Sequence, residues 1–93
     1  MRQRARNMTG ITAEQCRGAR GLLGWGKREL AERTGISPRT VQRLEEGPLR
    51  PMQRTVDDIA RVLRDAGVLF IPPVEGEHRG GVALRCEQDV NLP

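Results

Sequence analysis

The sequence predicts a mainly α fold, a four-helix core over residues 12–67 followed by a short C-terminal β-hairpin. Apolar residues recur at helical spacing in four successive segments between Thr12 and Gly67. Glycines, prolines and capping residues punctuate those segments where helices must start and stop. Beyond Gly67 the spacing gives way to two short β-prone runs, Val68 to Ile71 and Gly81 to Arg85, separated by a glycine-containing loop. Ninety-three residues suffice for one small domain with a single core, and too few remain for a second, catalytic one.

Residues 1–11 are polar, basic and without periodicity, and are read as a flexible arm. Thr12 followed by Gln15 is a capping-box pattern, in which side chain and backbone at a helix start satisfy each other. Cys16, Ala19 and Leu23 then fall on one side of the first helix. Gly18, Gly21 and Gly24 weaken that helix by about 1 kcal/mol each if interior, so closely approaching neighbours are expected there. Trp25 follows directly and is placed against the second helix as a seal on the core.

The second helix is expected over Lys27 to Thr34, with Leu30, Ala31 and Thr34 inward. Gly35 stops it at a point where a left-handed backbone is cheap only for glycine. Ile36 plugs the turn. Ser37 and Pro38 open a third helix, expected to reach Glu45, because a serine oxygen accepts from free amides and proline loses no hydrogen bond at the first helical position. Val41 and Leu44 form its inward stripe, and Gly47 ends it. Arg39, Thr40, Gln42 and Arg43 are left facing outward. Pro48 to Arg54 holds two prolines and is read as a loop that frees Arg50 and Arg54. Thr55 with Asp58 forms a second capping-box pattern, and Val56, Ile59, Ala60 and Leu63 mark a fourth helix. An isolated hairpin is marginal in water, so residues 68–85 need a helical face or a second copy; the end from Cys86 onward is read as loose.

Charge is unevenly placed. The net +4 comprises +3 on residues 1–11, from Arg2, Arg4 and Arg6, another +3 on residues 12–66, and −2 on residues 67–93. The helical part and its arm thus present a basic surface suited to a polyanion. Cys16, Cys86 and the single His78 have no zinc-ligand spacing. Cys16 reads as a small core hydrophobe and His78 as a solvated loop residue. No glycine-rich phosphate loop or nucleophile–base pair is present, so an enzyme, a cofactor and a metal are not expected. No apolar run reaches the roughly 18–20 residues that span a bilayer, and the arginine-rich start lacks the apolar segment of a secretory signal; a cytoplasmic protein is expected.

The segment LAERTGISPRTVQRLEEG, Leu30 to Gly47, together with the proline-containing basic loop after it, resembles the lambda-repressor and Cro-like helix-turn-helix domains, the XRE family. The resemblance spans roughly Thr12 to Gly67. It implies that the second helix crosses the groove of double-stranded DNA with its start against phosphates, while the third lies in the major groove. By position it assigns DNA contacts to Lys27, Ser37, Pro38, Arg39, Thr40, Gln42, Arg43, Arg50 and Arg54. Lys27 stands where the family commonly has a glutamine, and Pro38 where a polar residue is usual. Readout therefore falls mainly on Arg39 and Arg43, whose forks match the two acceptors of guanine. The resemblance also pairs Glu45 with Arg20 as a structural contact. It implies a small regulator, a repressor by size, acting on an inverted-repeat operator as a homodimer. Many relatives dimerise through a fifth helix that this chain replaces with strands. The rival reading is an antitoxin or accessory module that holds a protein partner through residues 68–85.

Overall fold

The computed structural model describes residues 10–47 and 49–86. Most of the expected arm, Pro48 and the tail beyond Cys86 lie outside the described residues. Helices α1 (Ala13–Leu23), α2 (Lys27–Thr34), α3 (Pro38–Glu46) and α4 (Gln53–Asp65) are followed by strands β1 (Val68–Ile71) and β2 (Gly81–Leu84). The fold is the expected one: mostly helical, with an antiparallel two-stranded hairpin at the C-terminal side.

Local chemistry accounts for the first three helices. Thr12 Oγ1 accepts from the Gln15 amide at 3.0 Å and Gln15 Oε1 accepts from the Thr12 amide at 3.1 Å, so the capping box forms. Gly35 closes α2 with φ 83° and donates its amide to the Ala31 carbonyl. Ser37 is the N-cap of α3, its side chain accepting from the Thr40 amide, and Pro38 is the first helical residue; α3 then runs one residue past the expected end, to Glu46.

The start of α4 differs from expectation. The Thr55–Asp58 capping box does not form; the helix begins three residues earlier, at Gln53, with Met52 as an N-cap that makes no side-chain bond. Tertiary contact holds this first turn instead. Gly10 packs so closely that a Cβ on it would stand 3.0 Å from both Gln53 Nε2 and Val56 Cγ1, and Arg50 Nη2 donates to the Ile11 carbonyl at 2.8 Å. Arg54, expected in the loop, consequently lies in the first turn of α4, exposed.

Leu30, Val41, Val56, Ile59, Leu63 and Val68 are fully buried and, with Cys16, join the four helices and β1 into one core. Each such aliphatic contributes about 1.5–3 kcal/mol. The exposed ion pairs Arg33–Glu29 and Arg61–Asp58 contribute at most about 1 kcal/mol each, so packing decides the fold. On α2 the pair that forms is Glu29–Arg33, with the glutamate four residues ahead of its base, the better orientation. Arg33 also lies 4.3 Å over the Trp25 ring, covering the half-buried indole from the α2 side.

The hairpin pairs Val68 with Leu84, Leu69 with Ala83, Phe70 with Val82 and Ile71 with Gly81. Alternation along β1 turns Val68 and Phe70 toward the helices and leaves Leu69 and Ile71 exposed, at 46% and 43%. Gln15 pins the hairpin to α1 by donating Nε2 to the carbonyls of Ile71 and Gly81, both at 3.0 Å. Gly18 permits close approach, since a Cβ there would meet Val82 Cγ2 at 3.0 Å. The expectation of close neighbours thus holds at Gly18 alone: Gly21 faces open space, and Gly24 is the left-handed stop of α1.

Candidate nucleic-acid interface

Amphipathic geometry makes α3 two-sided. Val41, Leu44 and Glu45 point inward. The opposite stripe carries Arg39, Gln42, Arg43 and Glu46, at spacings of three, four and seven residues, all exposed. These four, with Gly47, Leu49 and Arg50, line an open groove of about 760 Å³. Arg39 and Arg43 have no partner among the contacts of the described residues, so their guanidinium forks face solvent.

The inward side of α3 is fixed by charge as well as packing. Arg20 places Nε 2.7 Å from Glu45 Oε2 and Nη2 2.8 Å from Oε1, while the Cys16 thiol donates to Oε2 at 3.1 Å. Burial by itself pushes the Glu45 carboxyl up, but the Arg20 fork and the thiol outweigh it and the net direction is down. Burial first, then Glu45, pushes the Cys16 thiol well up, which keeps it protonated and a donor. Arg17 donates to the Glu45 carbonyl at 2.7 Å and so satisfies the C-terminal turn of α3. The Arg20–Glu45 pair therefore forms as the resemblance implied, and it holds α3 against α1 so that its outer stripe stands clear.

The other predicted site residues divide into groups. Ser37 and Thr40 sit at the start of α3, their hydroxyls 3.0 Å apart, and Pro38 beside them is exposed. Their oxygens serve the cap. Lys27, at the first turn of α2, donates Nζ to Glu46 Oε2 at 2.8 Å; α3 thus ties it to the edge of the groove. Arg50 lines the groove, and its Nη2 donates to the Ile11 carbonyl at 2.8 Å. Arg54 is exposed on α4 and does not line the groove.

Sequence reasoning missed two residues here. Glu46 belongs to the outer stripe by the same spacing that selected Gln42 and Arg43, and that spacing was a sufficient signal. Leu49 is 74% exposed at the groove wall, and no pattern marks it. Among the described residues no group of three or more His, Cys, Asp and Glu is placed to hold a metal, and no described helix is long and apolar enough to cross a membrane.

Residues 17–64 match the family described as Helix-turn-helix, of the XRE, lambda-repressor-like type. That match covers α1 from Arg17 through most of α4 and contains the whole outer stripe of α3. No curated protein matches the chain at a significant level.

Proposed function

Because the chain belongs to the XRE, lambda-repressor-like helix-turn-helix family of DNA-binding transcription regulators, we propose that it is a repressor that occupies an inverted-repeat operator as a homodimer. The observation that carries this reading is the exposed stripe of α3, where Arg39 and Arg43, without partners among the described residues, flank Gln42 on a rod narrow enough for a major groove. In this arrangement Arg39 and Arg43 read base edges, Gln42 supplies an amide suited to adenine, and Ser37, Pro38 and Thr40 approach the duplex at the start of the helix. Lys27, Arg50 and Arg54 serve phosphates, which position the helix without reading sequence.

Homodimerisation rests on the hairpin. Leu69 and Ile71 present an apolar outer face, and Leu84 at 44% and Leu22 at 43% exposure add to the unburied apolar surface. A strand edge invites pairing with another, and a two-fold axis through such a contact sets half-sites about 34 Å apart. The same exposed face supports a second reading, in which residues 68–85 hold a protein partner in the manner of an antitoxin and DNA binding is autoregulatory.

Selection of bound duplexes from a random pool tests the main reading. An enriched, approximately palindromic sequence is expected, with affinity falling steeply as salt rises because phosphate neutralisation releases counterions. No enrichment over the starting pool at modest ionic strength rejects it.

A further inference from the structure

Glu46 is an acid on the face that this chain offers to a polyanion. It follows Arg43 by three residues, Gln42 by four and Arg39 by seven, and lines the same groove. Its Oε2 receives Lys27 Nζ at 2.8 Å and its Oε1 receives Gln42 Nε2 at 3.5 Å. The Lys27 bond holds the carboxyl below the usual carboxylate range. The fold gives no account of it, since both side chains are substantially exposed, 32% for Lys27 and 50% for Glu46, and exposed ion pairs add little to stability. Its consequence falls on the outer surface. While paired, Lys27 has its charge answered from within the protein and neutralises no phosphate, and the carboxylate itself repels any backbone that settles on the stripe.

We propose that Glu46 is a specificity-determining residue that lowers affinity for unselected duplex by holding Lys27 and repelling phosphate. This rests on the DNA-binding reading above. Weak, sequence-independent contact is the part of binding that phosphates dominate, and a protein finds its site by the ratio of selected to random affinity. An acid that subtracts from the phosphate contribution raises that ratio while adding no attractive contact, which is specificity by repulsion. The selected site bears the penalty more easily, because there Arg39, Gln42 and Arg43 dock the helix in one register and Lys27 has a fixed phosphate to move to.

The test measures affinity for the selected duplex and for random duplex between 0.05 and 0.2 M salt, for the wild-type chain, Glu46→Gln, Lys27→Gln and the double variant. Glu46→Gln is expected to bind random duplex more tightly, with a salt slope steeper by about 0.9, so that its advantage grows roughly threefold from 0.2 to 0.05 M. The selected-to-random ratio falls, and the gain shrinks to the share due to direct repulsion when Lys27 is also replaced. A merely structural role does not alter the salt slope. If wild type prefers its selected duplex but Glu46→Gln leaves random affinity and slope unchanged, the inference is overturned and the DNA-binding reading stands. A gain that survives undiminished in the Lys27→Gln background overturns the part assigned to Lys27, and one that vanishes there overturns the part assigned to direct repulsion. A wild-type chain that binds no duplex overturns both readings.

Discussion

Arg20 clasps both carboxylate oxygens of Glu45, at 2.7 and 2.8 Å, and joins α1 to the last turn of α3. The Glu45 side chain is wholly enclosed, whereas Arg20 keeps 16% exposure. Fork and carboxylate match bidentately, so the contact fixes the rotation of α3 about its axis. That rotation decides which residues face outward.

Removing one partner of a buried pair leaves an uncompensated charge, and Glu45→Gln is expected to cost about 3 kcal/mol, the low end for such losses because Arg20 retains solvent. The pair also titrates. The folded-state pKa of Glu45 lies below its ordinary value, so its contribution is present above the unfolded pKa of about 4.3 and is lost as pH falls through the folded value. Urea unfolding from pH 7 to pH 2 should show the gap between wild type and Glu45→Gln closing below about pH 4. A gap independent of pH contradicts the assignment.

Gln15 is the hinge between helix cap and hairpin, donating to two carbonyls 56 and 66 residues away. Gln15→Glu keeps the shape but turns a carboxylate toward Ile71 O and Gly81 O, and should destabilise by roughly 1–3 kcal/mol. Gly80 stands opposite with φ 103°, where an added Cβ would meet the Ile71 carbonyl at 2.9 Å; Gly80→Ala should cost a similar amount, roughly 1–3 kcal/mol. Hydrogen exchange at Leu69 and Ala83, a hydrogen-bonded pair of the hairpin, is the decisive readout. Both variants should accelerate it more than exchange in α2.

Ser37→Ala removes the oxygen that accepts from the Thr40 amide at 3.2 Å. The expected loss is about 1 kcal/mol, seen as a lower thermal midpoint with Glu45 and Arg20 intact. Ser37→Asp should restore most of it, because a carboxylate caps the same amide and suits the positive end of the helix. Equal stability of all three chains would show that the cap is idle.

Arg39→Ala and Arg43→Ala should each lose about 1–3 kcal/mol of discrimination at particular base pairs of the selected duplex. Arg54→Ala, outside the groove, should instead weaken all duplexes alike and reduce the salt slope by about 1. Competition titrations with single-base variants of the selected site separate the two patterns. Uniform weakening by all three substitutions assigns Arg39 and Arg43 to phosphates.

Leu69→Lys places a charge on the outer face of β1, where the wild-type side chain is 46% exposed. The fold should survive and self-association should fail. Sedimentation is expected to shift from dimer toward monomer, with loss of affinity for the two-half-site duplex. A wild-type chain that sediments as a monomer at DNA-binding concentrations removes the homodimer from the proposal.

Residue patterns within about four positions of each other were legible in the chain. They include the α2 limits, the Gly35 turn, the Ser37–Pro38 start, the Thr12–Gln15 box and both strands. They also include the outward set Arg39, Thr40, Gln42 and Arg43, because helical spacing and apolar burial together determine which side of a helix meets water. The cap of α4 was misjudged because its first turn is held by Gly10, Ile11 and Arg50, residues that sequence separates from it or treats as loop. Only the tertiary structure decided that Gln15 also serves the hairpin, that Lys27 is bound by Glu46, and that Leu69 and Ile71 are left bare. Those outcomes depend on contacts between segments far apart in the chain, where a carbonyl, an ammonium or an open face gains its meaning from whatever folding brings beside it.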